Sequence, residues 1–343
     1  MSKDKVDKNA KASELKNSVL ETLLATLTKK YGKGAVINMD NFRDDCPSLS
    51  TGSLGIDRIT GIGGIPKGKI TEIYGEESVG KSTLALSLVS NAQKNGEKVL
   101  YIDAEHSLDK KRAKDLGVNI NELMVSQPST GEEAIDIAAS AIKSGAIGLI
   151  VIDSVAALVP EAELEGEISD QNIGLQARML SKAMRMLNGA ITESNTTVVL
   201  INQLRSKVNT FGFGGDNKQT TGGNAIKYYA SLRLELKRIK NTEKFSQIRI
   251  KAVKNKVAPP FQVCEVPLYF DVGFSLIDEV IDLSLSDGKI SKSGAWYSMG
   301  QTKIGNGRDS VKNYLKSNPE EFNKLLSDLK DVNLNNESES ETE

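Results

Sequence analysis

The run Gly75-Glu76-Glu77-Ser78-Val79-Gly80-Lys81-Ser82 constrains this chain more than any other feature. It has the spacing G-x-x-x-x-G-K-S. It lies between an apolar strand pattern, Ile70 to Tyr74, and a helical pattern, Lys81 to Lys94. Backbone amides of such a loop wrap phosphates, and the following helix N-terminus adds a favourable dipole. Lys81 then reaches the β- and γ-phosphates of ATP, and the Ser82 hydroxyl ligates Mg2+.

The rest of the chain supplies the setting this loop needs. Further β-branched runs at Val99 to Asp103, Leu149 to Asp153 and Val198 to Asn202 alternate with helical patterns at Gly131 to Lys143 and Gln171 to Ser194. Continuous apolar strands between helices predict a parallel sheet covered on both faces, an α/β fold. Tyr229 to Ile239, Gln247 to Val253 and Val263 to Phe270 then read as strands with no helices between them, an antiparallel extension. Residues 1–41 form a separate N-terminal segment. There Leu15, Val19, Leu23, Leu27 and Tyr31 recur at helical spacing, ending near Gly32. That stripe fits either a helix folded on its own core or one that docks on a neighbouring subunit. The core spans 42–278, a small α/β unit spans 279–332, and 333–343 is an acidic Ser/Glu tail expected to be disordered.

Three more strand ends carry polar groups. Asp153 closes an apolar strand and would hold Mg2+, directly or through water, although a buried strand can also end in a capping Asp. Glu105, just past Asp103, is placed to orient an attacking water, since ligands in open α/β sheets bind at the carboxyl ends of strands. Helix capping is its alternative reading. Gln203 can sense a γ-phosphate by hydrogen bonding, although alone it reads as a surface residue.

Composition narrows the class. Two cysteines, Cys46 and Cys264, and one histidine, His106, cannot build a structural zinc site and fit a reducing cytosol. The N-terminus is polar and Lys-rich, without the apolar stretch of a secretory signal. The apolar run around Ala146 to Ile152 is too short to span a bilayer, so a cytoplasmic protein is expected. A net charge of −1 argues against a simple basic DNA-binding module, so any positive charge for DNA must be local.

With these residues in hand, the chain resembles the bacterial RecA recombinase family from about Leu15 to Leu329. The loop above carries the resemblance, as do Ser50-Thr51-Gly52-Ser53-Leu54-Gly55-Ile56-Asp57, Tyr101-Ile102-Asp103-Ala104-Glu105-His106, Glu165-Gly166-Glu167-Ile168, Thr221-Gly222-Gly223-Asn224-Ala225, Lys254-Asn255-Lys256 and Gly294-Ala295-Trp296-Tyr297-Ser298. The resemblance implies a P-loop NTPase core of RecA type. It implies a DNA-dependent ATPase that forms helical filaments on single-stranded DNA, pairs it with homologous duplex, exchanges strands and stimulates self-cleavage of a LexA-type repressor. It implies Glu105 as catalytic carboxylate, Gln203 as the coupler of γ-phosphate to DNA-binding loops, and Lys254 and Lys256 as a pair reaching the neighbour's ATP. Their i, i+2 spacing suits one face of a strand. Thr83, Asp109 and Arg112 join the nucleotide-contacting set.

Two segments resemble the family's DNA-facing loops. The first runs from Glu165 to Arg178, with Arg185 further along the following helix. The second runs from Leu204 to Ala225 and carries Arg205, Val208, Gly222, Gly223 and Asn224. Its Gly- and Thr-rich composition predicts disorder without DNA. Two departures stand out. Arg112 occupies the position of an expected Tyr stacking on adenine, and the second loop reads Gly215-Asp216-Asn217-Lys218-Gln219-Thr220, about two residues longer than the family's. Six basic residues from Lys289 to Lys316 face a single acid, Asp309, a local patch suited to duplex DNA. A hexameric DNA helicase or a RadA-type branch-migration ATPase shares the core. The RadA type would carry a four-Cys zinc motif, which is missing.

Overall fold

The computed structural model describes residues 3–32, 36, 46–167, 174–206 and 218–335. Two compact units emerge, Met1–Cys46 and Pro47–Glu343. The first holds helix α1 (Lys3–Tyr31). It begins well before the apolar stripe because the start, with Lys3, Lys5, Lys8, Lys11, Ala10 and Ala12, carries helix formers without being amphipathic. Gly32, at φ +92°, follows its end. Within this unit Leu15 is 70% and Val19 63% exposed.

The second unit opens with β1 (Ser48–Leu49), α2 (Leu54–Ile59) and β2 (Ile65–Pro66), followed by β3 (Ile70–Gly75) and α3 (Lys81–Lys94). Next come β4 (Val99–Asp103), α4 (Lys110–Asp115), β5 (Leu123–Ser126), α5 (Gly131–Ser144) and β6 (Leu149–Asp153). Then follow α6 (Glu161–Glu165), α7 (Leu175–Ser194), β7 (Thr197–Ser206), β8 (Lys218–Thr220) and α8 (Ala225–Tyr229). Strands β9 (Leu232–Asn241), β10 (Phe245–Asn255), β11 (Val263–Tyr269) and β12 (Gly273–Phe274) are consecutive. The chain closes with α9 (Leu276–Ser286), β13 (Ser291–Ser293), β14 (Trp296–Met299), β15 (Thr302–Asn306), α10 (Arg308–Ser317) and α11 (Pro319–Asn335).

Among the described residues the main sheet runs β12-β11-β10-β9-β3-β7-β6-β4-β5, with β8 added to β7. Strands β9, β3, β7, β6, β4 and β5 are parallel, while β10, β11 and β12 extend the sheet antiparallel. This is the expected α/β architecture. One face packs on α3 through Leu84, Leu88 and Val89, and the other on α5 and α7 through Ile135, Ile142, Leu180 and Leu187. The C-terminal unit has its own core around Val280, Ile281, Ile304 and Leu315.

The structure moves several boundaries. Tyr229 closes the short helix α8 rather than opening a strand, which starts at Leu232. Helix α7 begins at Leu175, after Gly174 at φ +82°, and residues 171–173 of the expected helix lie outside the described residues. Helix α11 continues to Asn335, into the segment read as tail, and 336–343 lie outside the described residues.

Candidate nucleotide site and DNA-facing loops

The parallel strands end at one edge of the sheet, and the candidate residues gather there. Gly75 closes β3 in register with Gln203 on β7, and Asp103 closes β4 beside Asp153 on β6. The loop from Glu76 to Gly80 leads into α3, whose first amides have no partner within the helix. Gly80 sits at φ +99°, and a Cβ there would meet Leu268 at 2.3 Å. A Cβ on Gly75 would meet the Leu236 carbonyl oxygen at 2.4 Å. Both glycines are therefore dictated by the backbone path as well as by any ligand.

Lys81 is buried and donates to the carbonyls of Gly75 (3.3 Å) and Glu76 (2.6 Å). Burial pulls its ammonium below the ordinary lysine range, and Asp153, Glu105 and Glu77 partly restore it. Burial pushes the Asp153 carboxyl up, opposed by hydrogen bonds from Tyr101 and Ser82. The Tyr101 hydroxyl donates to Asp153 Oδ2 at 2.7 Å. Ser82 and Asp153 together present hard oxygen donors beside the phosphate loop, a set that fits Mg2+.

Glu105 is exposed, and its Oε1 accepts from the Ser154 hydroxyl and, at 2.7 Å, from Gln203 Nε2. Residues 98 apart in sequence thus meet at the mouth of the loop. Gln203 does not close its strand as expected. β7 runs on to Ser206 because β8 pairs with it, Leu204 opposite Thr220 and Arg205 opposite Gln219. Both ends of the second loop are therefore ordered as a ribbon, and Val208 lies outside the described residues.

A pocket of about 310 Å³ is lined by Ser78 to Thr83, Arg112, Ser246, Leu268, Tyr269 and Phe270. Arg112 Nη1 donates to the carbonyls of Phe270 (2.7 Å) and Asp271 (2.8 Å), holding α4 to the turn after β11. Asp109 caps α4, accepting from the Arg112 amide at 2.6 Å. The family resemblance puts both among the nucleotide contacts, and each also has a local structural role that spacing does not reveal. Arg238, which sequence reasoning missed, donates to the Ser78 carbonyl of the loop.

Lys254 donates to the carbonyls of Lys227 (2.6 Å) and Tyr228 (2.9 Å) at the end of α8. Burial pulls its ammonium down, and the neighbouring Lys256 and Arg233 add to the shift. The two lysines are close, but they do not share a strand face. β10 ends at Asn255 after an irregularity between Ala252 and Lys254, and exposed Lys256 lies beyond it.

Arg178 and Arg185 are exposed on α7, and Arg205 is exposed on β7. Gly222 (φ +82°) and Gly223 (φ +74°) press against α7, where a Cβ would meet Leu180 at 2.4 Å and Ala177 at 3.2 Å respectively. The closing end of the second loop is thus packed on the helix that follows the first, with Asn224 exposed beside it. Residues 168–173 of the first loop lie outside the described residues. In the C-terminal unit the basic patch is thinner than its composition implied. Arg308 pairs with Asp278 and Asp282, and Lys312 with Asp278, acids of α9 that lie outside the 289–316 window. Exposed Lys292 and Lys303 lie over the rings of Tyr297 (5.3 Å) and Trp296 (5.0 Å).

Strand, phosphate loop, helix and mixed sheet together define an α/β protein of the P-loop NTPase class. Comparison with known proteins narrows this. The family model for the RecA N-terminal domain matches residues 18–275, and that for the RecA C-terminal domain matches residues 278–332. A Protein RecA of Azospirillum lipoferum is 48% identical over 312 residues, covering 89% of this chain and 86% of the relative. Those of Nautilia profundicola (47%; 92% of each chain) and Mesoplasma florum (48%; 92% of this chain, 96% of the relative) are similarly close. The chain belongs to the RecA family. Membership supports a role in recombination and DNA repair with nucleotide and DNA binding. Among the described residues no helix is long and apolar enough to cross a membrane.

Proposed function

We propose that this protein is a cytoplasmic DNA-dependent ATPase that polymerises as a helical filament on single-stranded DNA and catalyses homologous pairing and strand exchange in recombinational repair. The observation that carries the reading is the hydrogen bond from Gln203 to Glu105 at the mouth of the phosphate loop. A carboxylate that orients water and an amide that meets the γ-phosphate are here one contact apart. Charge placement and positioning, rather than covalent chemistry, govern phosphoryl transfer. Glu105 orients and polarises the attacking water. Lys81 leaves the loop carbonyls to meet the phosphates, and the loop amides from Gly75 to Thr83 hold them. Ser82 and Asp153 would hold Mg2+, which supplies charge neutralisation on the phosphate oxygens when bound.

Gln203 stands where the β7–β8 ribbon starts, so a change in its partner reaches the second loop directly. Arg178, Arg185 and Arg205 contact the DNA backbone, Gly222, Gly223 and Asn224 shape the loop end, and Val208 inserts between bases. Lys254 and Lys256 act on the ATP of an adjacent subunit. Helix α1 (in the 1–41 segment) joins subunits through its apolar stripe, the 42–278 core carries ATP and single-stranded DNA, and 279–332 gathers duplex DNA. Stimulation of a LexA-type repressor's self-cleavage in an SOS response rests on the family resemblance alone.

Mixing inactive variants tests the shared site. Lys81→Ala and Lys254→Ala should each be nearly inactive on saturating single-stranded DNA. Random co-assembly should restore about a quarter of the interfaces, because head-to-tail contacts are heterologous. Co-assembled mixtures showing only the sum of the two backgrounds would overturn the shared site.

A further inference from the structure

Glu72 is a charge in the middle of an apolar strand. It lies three residues before Gly75, is 0% exposed, and shares β3 with Ile70 and Ile73 of the core. A buried carboxylate is tolerated only when its oxygens are satisfied. Both are: Oε1 accepts from Asn202 Nδ2 at 2.9 Å, and Oε2 accepts from Arg233 Nε. Asn202, also 0% exposed, is saturated in turn. Its Nδ2 also donates to the Thr221 carbonyl (3.1 Å), and its Oδ1 accepts from the Gln203 amide (2.8 Å) and the Thr221 hydroxyl (2.5 Å). One amide side chain therefore ties Gln203, where β7 enters the β7–β8 ribbon, to Thr221, just past the end of β8.

On its other side Glu72 faces positive charge. It is in register with Arg233 on β9, and Arg233 is opposite Lys254 on β10. Arg233 also lies over the Tyr74 ring at 4.7 Å. Like charges opposite one another across strands repel. The buried carboxylate next to Arg233 offsets that repulsion and keeps Lys254 beside α8.

We propose that Glu72 is a positioning residue that couples the stem of the second loop, through Asn202 and Thr221, to the Arg233–Lys254 row that faces the adjacent subunit. The proposal rests on the function given above and adds a physical link inside one subunit. Loop and interface lysine are both referred to one fixed carboxylate, so displacement of Gln203 is transmitted rather than absorbed. Glu72 itself touches neither substrate nor water in the reaction.

Two variants test it in the full-length protein. Glu72→Gln keeps the shape and removes the charge. Thr221→Val keeps the branching and removes the hydroxyl that donates to Asn202. Turnover is followed by phosphate release on saturating single-stranded oligonucleotide, with KM for ATP and thermal melting measured in parallel. Each variant should melt as a folded protein, keep KM within about threefold and lose about tenfold or more in kcat on DNA, the split expected when positioning rather than binding is lost. The double variant should lose no more than the worse single variant, because residues in one network are not additive. Should Glu72→Gln fail to fold, Thr221→Val alone decides the matter. A folded variant whose kcat on DNA stays within twofold of the parent overturns the proposal, as do losses that multiply in the double variant. A parent protein without DNA-stimulated turnover would instead refute the proposed function, so the two failures are distinct.

Discussion

Replacing Glu279 by Gln should stabilise this protein at pH 8 and lose that advantage on acidification. Glu279, on α9 of the C-terminal unit, is inserted at the start of α2. Its Oε2 accepts from the Ser53 hydroxyl (2.8 Å) and the Gly55 amide (2.9 Å), while Oε1 is buried without a hydrogen-bond partner. Burial pushes its carboxyl from 4.5 up to about 7, despite the hydrogen bonds, and nearby Asp57 adds to the rise. Burial likewise pushes Asp57 from 3.8 up to about 6. A carboxyl with a raised folded-state pKa binds a proton more tightly when folded. Its contribution to stability is therefore full below about 4.5, falls as pH rises to about 7, and is lost above. At ~1.4 kcal/mol per unit, the ionised form costs on the order of 3 kcal/mol at pH 8. The readout is the difference in melting temperature between variant and parent, which cancels the titration of groups not coupled to Glu279 and leaves Glu279 with its neighbour Asp57. It should be positive by roughly 6–12 °C at pH 8, given ~2–4 °C per kcal/mol for a large domain, and shrink to zero or below by pH 5. A difference that is constant from pH 5 to 8, or most negative at pH 8, would refute the reasoning.

Four further outcomes are expected. Glu105→Gln should keep nucleotide binding and lose about 10²-fold or more in hydrolysis on DNA, measured by phosphate release beside a fluorescent-nucleotide titration. Arg112→Tyr removes both bonds to the Phe270 and Asp271 carbonyls, so nucleotide affinity should fall by about tenfold, a total of ~1.4 kcal/mol, since both bonds are exposed and each contributes less than a buried charged bond; titration calorimetry showing unchanged or tighter binding would instead mean that the guanidinium only fills space. Reversing Lys292 and Lys303 to Glu should weaken duplex binding most at low salt, whereas Arg308→Ala, which breaks the pairs to Asp278 and Asp282, should lower the melting temperature.

Much of the fold was legible because it is built from local patterns. Ile70 to Gly75, the loop and Lys81 to Lys94 are contiguous, and their order alone implies a strand, a phosphate cradle and a helix. Short β-branched apolar runs such as Leu149 to Ile152, set between helical patterns, fit buried parallel strands, so the parallel sheet followed from them. Edge strand β5, with exposed Met124 and Val125, lacks that pattern and is not legible in the sequence. Family resemblance supplied the roles of Glu105, Gln203 and Lys254, which spacing alone left open.

What only the tertiary structure decided concerns which side chains answer one another across the sheet. Arg112 looked like a stacking group until its donors were found on two carbonyls far along the chain. Arg308 and Lys312 looked like part of a DNA-gathering patch until Asp278 and Asp282 were found opposite them. Glu72 carries no signal of its role in the strand pattern of Ile70 to Tyr74, and only the fold sets Asn202 and Arg233 on either side of it. Periodicity reports which face of an element is buried. It carries no record of the partner, because strand order and register join residues more than a hundred positions apart, and only the folded sheet brings their charges within hydrogen-bond reach.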